Sequence, residues 1–435
     1  MLDAVVIGLG ASGFASACYL IEQGLKIAIT DDRTNPPLLA RFKSKYPEVQ
    51  TCLGAYDDSL LSSTRRIIMS PGICPHTATM REIRQKYGNI IYSDIDLFLE
   101  KCNNPIIAVT GSNGKSTVIK MVHDMLIEAG HTCAMIGNVG TPVLGFLEKN
   151  QANMPSWVVI EISSFQLFWT KNMRCDYGAV INIFPNHLDW HASFQEYCQT
   201  KLSLLTKAKK AFLAEELMYL IDNKPVKSGH SIEPIYYNGP ERSLFVDKNR
   251  QENFLPKHLK DNAVAARTIA ASIGVQEQSI KKALTEFQPW PFRCELQYQE
   301  YGFWYNDAKS SNLAAAQHAL ANISAKHKKK VIWLAGGVAK KESFSKIPEW
   351  VANTVDHAIF FGRDAHLFTD ALKGICHISP VKNLKEAVFL AKSLVQNKDD
   401  VVVFSPAAAS FDQFKNFQHR GQCFNELIED VVYCN

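Results

Sequence analysis

No stretch of this chain approaches the roughly eighteen consecutive apolar residues that a membrane-spanning helix requires. No basic segment leads into an apolar one at its start, so a targeting leader is not expected. An excess of one charge is also missing: 47 Lys and Arg stand against 43 Asp and Glu, a formal +4 over 435 residues. So close a balance gives no basis for a broad nucleic-acid or membrane-binding face. The densest basic run, Lys326-His327-Lys328-Lys329-Lys330, precedes an apolar strand and reads as a solvated helix end. The 11 cysteines occur singly and no two form a C-x-x-C pair, which argues for reduced thiols rather than a disulfide framework. Low-complexity tracts and fixed-period repeats are absent. Together these absences predict a cytoplasmic protein with no membrane or nucleic-acid partner; a monomer is expected, though none of these features bears on it.

What is present is a chain too long for one ordinary core, so two or three domains are expected. Its most informative run is Ala108-Val109-Thr110-Gly111-Ser112-Asn113-Gly114-Lys115-Ser116-Thr117. An apolar strand, Pro105 to Val109, feeds a glycine turn, and a helix follows with apolar residues at Val118, Met121, Val122, Met125 and Leu126. Backbone N–H groups in such a turn wrap a phosphate, and the helix N-terminus adds partial positive charge. Lys115 can reach the terminal phosphates of a nucleoside triphosphate, and the hydroxyl of Ser116 or Thr117 can hold Mg²⁺. The spacing departs from G-x-x-x-x-G-K-[ST], because Val109 stands where the first glycine belongs.

The remaining pattern is strands alternating with helices, which predicts an α/β chain of three domains. Residues 1–102 read as a Rossmann-like unit: strand Ala4 to Ile7, the turn Gly8-Leu9-Gly10-Ala11-Ser12-Gly13, a helix, and a strand ending at Asp31-Asp32. That turn suits any nucleotide diphosphate, a nicotinamide cofactor included. Residues 103–289 read as a P-loop ATPase-like α/β unit. Residues 290–435, after Gln288-Pro289-Trp290-Pro291, read as a second Rossmann-like, doubly wound sheet.

Polar residues gather at predicted strand ends. Glu161 closes the strand Trp157 to Ile160, where a carboxylate can hold Mg²⁺ against phosphates. His187, Asp189 and His191 form an H-x-D-x-H group that suits a metal, a phosphate or simple loop polarity. In the third domain, Asn306-Asp307-Ala308-Lys309-Ser310-Ser311-Asn312, Gly336-Gly337-Val338-Ala339-Lys340 and Ser405 through Phe414 are three polar turns predicted on one sheet edge, where such sheets bind ligands.

These strings resemble the Mur ligase family, the ATP-dependent amide ligases of the peptidoglycan peptide stem, and within it the ligases that add D-glutamate. The phosphate loop with its shifted glycine, Glu161-Ile162-Ser163-Ser164-Phe165-Gln166-Leu167, and Ser405 to Phe414 with Lys415-Asn416-Phe417 and Arg420-Gly421 carry the resemblance. It implies ATP, two Mg²⁺ sites, and UDP-N-acetylmuramoyl-L-alanine and D-glutamate as the molecules joined. On that basis Ala11, Ser12, Asp31, Asp32, Ser70, Gly72 and Asn138 fall around the UDP-sugar. Lys115, Ser116 and Glu161 serve phosphate and the first Mg²⁺. His187 and Lys201 serve the second Mg²⁺, with Lys201 carbamylated. Asn262, Arg293, Asp307 and Lys309 fall at adenine, ribose and phosphate; Arg33, Ser311, Lys340, Ser410, Phe411 and Phe417 fall around D-glutamate. The chain departs from the family's frequent residues at Leu259, Phe292, Val338 and Ser311.

Overall fold

Short wholly apolar runs such as Ile67-Ile68-Met69, Val158-Val159-Ile160 and Val401-Val402-Val403-Phe404 need cover on both faces, which a parallel sheet flanked by helices supplies. The computed structural model describes residues 1–138, 141–150, 153–221, 231–238, 246–247, 252–253, 259–339, 344–345 and 347–433. Among them no helix is long and apolar enough to cross a membrane.

Three large sheets result among the described residues. The first holds β1 (Ala4–Ile7), β2 (Ile27–Asp31), β3 (Gln50–Leu53), β4 (Ile67–Met69) and β5 (Ile91–Ser93), all parallel, in the order β3-β2-β1-β4-β5. The second holds β6 (Ile106–Thr110), β7 (Cys133–Gly137), β8 (Trp157–Glu161), β9 (Cys175–Val180), β10 (Ala208–Ala214) and β11 (Ser231–Ile235), also parallel, in the order β11-β10-β9-β6-β8-β7. Val246–Asp247 (β12) and Glu252–Asn253 (β13) form a small antiparallel ribbon. The third sheet holds β14 (Glu295–Tyr298), β15 (Phe303–Asn306), β16 (Val331–Gly336), β17 (Val355–Phe361), β18 (His377–Pro380) and β19 (Val401–Phe404). Its order is β14-β15-β19-β16-β17-β18, and β14 alone runs antiparallel to its neighbour.

By packing, the chain divides into two compact units: Met1–Ile183 with Trp190–Leu255 and Lys260–Phe287, and Phe184–Asp189 with Pro256–Leu259 and Gln288–Asn435. The first carries the first two sheets and the second carries the third. In the third sheet the period of two is plain. Val331, Trp333, Ala335, Val401 and Val403 enter one core, whereas Ile332, Leu334, Val402 and Phe404 enter the core on the other face.

Most predicted strands fall within two residues of their observed bounds. The strand expected at Ala179 to Ile183 instead runs Cys175–Val180, so Ile181, Asn182 and Ile183 lie beyond its end and are free to turn toward the phosphate loop. The helix expected to reach Lys207 stops as an α-helix at Leu202 and tightens into a 3₁₀ turn over Ser203–Lys207.

Candidate active site

In each sheet the direction of strand growth reverses beside a central strand, and turns at the carboxyl ends there form a crevice. In the second sheet that point lies between β6 and β9. The loop after β6 enters the helix Lys115–Glu128 through Gly114, which has φ +79 and no room for a side chain, because a Cβ would collide with the side-chain amide oxygen of Asn262. Asn182, just past β9, grips the loop four times. Its Oδ1 accepts from the N–H of Ser112 and of Asn113 (2.9 Å each), its Nδ2 donates to Asn113 O (3.0 Å), and its carbonyl accepts from Ser112 N–H (3.1 Å). Lys115 Nζ folds back on Gly111 O (2.8 Å) and Ser112 O (3.0 Å).

The helix Phe194–Leu202 supplies two more contacts one turn apart. The Tyr197 hydroxyl pairs with Ser112 Oγ at 2.7 Å, and Lys201 Nζ donates to Gly111 O at 2.8 Å. Lys201 is 2 % exposed. Burial, and then the charge of Lys115, hold its amine well below the usual lysine range. Glu161, equally buried, accepts from Asn138 Nδ2 through Oε1 (2.8 Å), while its Oε2 has no hydrogen-bond partner. A buried carboxylate oxygen without a donor fits a hard cation, and Ser116 and Glu161 are the oxygen set Mg²⁺ takes beside phosphates. Among the described residues no three His, Cys, Asp or Glu cluster as a self-sufficient metal site. The Ser-Ser-Phe-Gln string after Glu161 has a local role: Ser163 and Gln166 form a capping box that starts the helix Ser164–Trp169.

His187 and His191 part company. His187 lies in the segment Phe184–Asp189, which packs with the second unit, and has φ +58. His191 belongs to the first unit, its ring among Trp190, Tyr197 and Phe165 and its Nε2 3.0 Å from Ser164 Oγ. Burial drives its pKa down to about 4.

At the first sheet, Ser70 Oγ donates to Gly8 O (2.7 Å), closing β4 onto β1, and Gly13 packs so tightly that a Cβ would collide with Gly8 O. The helix Ala11–Glu22 starts with no acidic residue in its first turn and no side-chain cap, which leaves it open to an anion. Asp31 is buried; it accepts from Leu9 N–H (2.7 Å) and from Arg33 Nη2 (2.6 Å). Burial raises the Asp31 carboxyl, yet the Arg33 and Leu9 hydrogen bonds outweigh it and hold the group below the ordinary range. Arg33, grouped above with the D-glutamate residues, thus stands at the first sheet beside Asp31. Asn138, grouped with the sugar residues, stands beside Glu161. Asp32, Ala11 and Gly72 are exposed at the same rim of the first sheet and Ser12 is partly buried. Gly72 O and Ile73 O accept from the indoles of Trp190 (3.2 Å) and Trp169 (3.1 Å).

At the third sheet, Asp307 follows β15 and accepts from Ser405 Oγ after β19 (2.7 Å). Burial pushes its carboxyl up to about 7. Lys309 Nζ lies 4.0 Å from the centre of the Phe417 ring, a cation–π contact. Arg293 is flanked by Phe292 and Cys294, both with positive φ, and Ala407 adopts the same left-handed form between Ser405 and Ser410. Ser410 is buried, Ser311 partly so, and Phe411 is 74 % exposed. Lys340 lies outside the described residues. The sequence reading missed Asn182, for which a polar residue directly after an apolar strand was the available signal, and named Arg420 without giving it a role.

Three family models match in succession: "Mur ligase MurD-like, N-terminal domain" over residues 3–92, "Mur ligase middle domain" over 109–228, and "Mur ligase, glutamate ligase domain" over 292–408. The chain is 31% identical over 445 residues to the UDP-N-acetylmuramoylalanine--D-glutamate ligase of Legionella pneumophila (strain Lens), covering 98% of this chain and 99% of that one. It is 32% identical over 450 residues to the Pseudomonas aeruginosa protein of the same name, covering 98% of each. Among solved structures, MurC, the UDP-N-acetylmuramate-alanine ligase of Thermotoga maritima, superposes with a TM-score of 0.59 at 13% identity, covering 99% of this chain and 100% of that one. A pseudomurein peptide ligase type C from Methanothermus fervidus gives 0.56 at 19%, with the same coverage. With its three sheets, its phosphate loop and these relatives in agreement along its length, the chain belongs to the Mur ligase family.

Proposed function

We propose that this chain joins D-glutamate to the L-alanine carboxylate of UDP-N-acetylmuramoyl-L-alanine at the expense of ATP, through an acyl phosphate. Full-length identity above 30% to ligases named for that product carries the reading. The phosphate loop ringed by Lys115, Lys201 and Glu161 supports it. Residues 1–102 are assigned to the UDP-sugar, 103–289 to ATP, and 290–435 to the incoming amino acid.

A carboxylate does not condense with an amine at neutral pH, because its oxygen is a poor leaving group. Phosphorylation of that oxygen by ATP removes the obstacle, and the amine of D-glutamate then displaces phosphate. The loop N–H groups and Lys115 hold the phosphates and offset charge as the terminal group moves. Ser116 and the open Oε2 of Glu161 would hold Mg²⁺, which supplies charge neutralisation when bound. Burial lowers the Lys201 amine well below the usual lysine range and so favours the form that adds CO₂; the carbamate would have oxygens to offer a second Mg²⁺, the role assigned also to His187. Lys309 is assigned to phosphate, and Asn262, Arg293 and Asp307 to adenosine. Ser311, Lys340, Ser410, Phe411 and Phe417 are assigned to the amino acid.

The test is phosphate release from ATP, Mg²⁺ and UDP-N-acetylmuramoyl-L-alanine with D-glutamate, L-glutamate or no acceptor. Release that needs D-glutamate, with a UDP-linked product of matching mass, is the expected result. Release with another amino acid would keep the chemistry and reject the acceptor.

A further inference from the structure

An indole N–H is a donor that needs an acceptor once it is buried. Trp169 and Trp190 are each 6 % exposed, and both spend that donor on one turn of the first sheet. Trp190 Nε1 donates to Gly72 O (3.2 Å) and Trp169 Nε1 to Ile73 O (3.1 Å), across 118 and 96 positions of chain. Two successive peptide units at the turn Ser70-Pro71-Gly72-Ile73 are thereby held. The turn closes through Ile73 N–H on Ser70 O (3.1 Å), with proline at its favoured second position. Ser70 fastens it to β1 by its N–H on Ile7 O (2.9 Å) and its Oγ on Gly8 O (2.7 Å). The Cys74 thiol returns the contact, donating to Trp190 O (3.4 Å).

The far end of this arrangement is the strand that carries Glu161. Trp169 is the last residue of the helix Ser164–Trp169, which starts shortly after Glu161. Trp190 stacks on Phe165 of the same helix, with ring centres 4.5 Å apart and planes at 30°, and meets Phe168 edge-on at 5.3 Å. That helix has 6 residues, too few to be stable alone, so it takes its order from what it packs against. Through the two indoles it packs against the turn at Gly72. Packing alone does not call for tryptophan here, because phenylalanine would supply an aromatic ring with no N–H to bury.

We infer that Trp169 and Trp190 are positioning residues that couple the UDP-sugar turn to the strand end bearing Glu161, so that the sugar nucleotide and Mg²⁺-nucleotide favour each other's binding. The inference rests on the assignments of Ser70 and Gly72 to the UDP-sugar and of Glu161 to Mg²⁺. The indoles act through the carbonyls of Gly72 and Ile73. A ligand that fixes the turn fixes the helix, and the second ligand then finds that part of its site already ordered. Such coupling is reciprocal.

The experiment is calorimetry on the full chain, for wild type, Trp169→Phe and Trp190→Phe, with a melting curve for each. It measures the Kd of UDP-N-acetylmuramoyl-L-alanine with and without Mg²⁺ and a non-hydrolysable ATP analogue. In wild type the analogue should tighten sugar binding at least fivefold, and the sugar should tighten the analogue by the same factor. In each variant the factor should fall below twofold, with the analogue's own Kd within twofold of wild type. Wild type without coupling overturns the inference. So does undiminished coupling in either folded variant, including the case where sugar affinity falls equally with and without the analogue and the indole only supports the turn. Should a variant unfold, amide exchange in wild type decides. UDP-sugar alone should slow exchange over Ser164–Trp169 at least threefold, and unchanged exchange overturns the inference. Wild type that binds no UDP-sugar under any of these conditions would instead reject the assignment of the turn itself.

Discussion

Lys115 and Lys201 donate to one oxygen: the carbonyl of Gly111 lies 2.8 Å from each Nζ. Two ammonium charges on one carbonyl repel, and the buried lysine is the one whose pKa falls. Lys201→Ala is therefore expected to leave ADP affinity within a few-fold and to lower kcat by about a thousandfold, the scale of losing one electrostatic group at a reacting phosphate. Calorimetry and phosphate release read the two separately. Intact mass in bicarbonate should show one added CO₂ on wild type and none on the variant. Full activity in Lys201→Ala would remove this lysine from the chemistry.

Asn182 spends its whole amide on the phosphate loop. Each hydrogen bond is worth about 1 kcal/mol net, so Asn182→Ala should raise the KM for ATP about tenfold, with a smaller change in kcat. Asn182→Asp should be worse than Ala, because it loses the donor to Asn113 O and sets negative charge beneath the phosphates. Titration with ADP ranks the variants, and equal affinities would count against the loop role.

Gly114→Ala meets two obstacles, the φ of +79 and the Asn262 side chain. The backbone alone costs about 1 kcal/mol, and the collision adds to it. The expected outcome is a lower melting temperature and weak nucleotide binding. Asn262→Ala in the same chain should restore part of the melting temperature, because it clears the collision and leaves the dihedral strain.

His191 gives the protein an acid-sensitive joint. Its folded pKa of about 4 lies below the ordinary histidine value of about 6.5, so the unfolded chain takes up the proton first. Stability tied to this group is full above pH 6.5 and is lost as pH falls toward 4. The full loss is about 3 kcal/mol, at 1.36 kcal/mol per unit. Denaturant midpoints of wild type and His191→Phe, taken from pH 7.5 to 4.5, should converge as pH falls. Parallel curves would show that His191 does not set the acid limit.

Legibility followed burial. Strands β1, β4, β8 and β19 are short apolar runs because helices or loops cover both their faces, and each is readable within a residue or two. The edge strands β3 (Gln-Thr-Cys-Leu) and β18 (His-Ile-Ser-Pro) pair on one side and face solvent, so their composition looks like loop. The phosphate loop announced itself because its contacts are local in sequence. Asn182 did not, because it acts across 69 or 70 positions, and the contact of Arg420 with Ala308 was not legible because it spans 112. His191 sits two residues from Asp189 in sequence, yet the two fall in different packing units, which no spacing rule reveals.

The turn Gly72-Ile73 hangs from two indoles, those of Trp190 and Trp169. Of the chain's 7 tryptophans, these two place a fluorophore at the rim of the first sheet's crevice. Indole emission changes when its N–H partner or the packing of its ring changes. Occupation of the crevice therefore has an intrinsic fluorescence signal that needs no attached dye, and Trp169→Phe and Trp190→Phe divide that signal between its two sources.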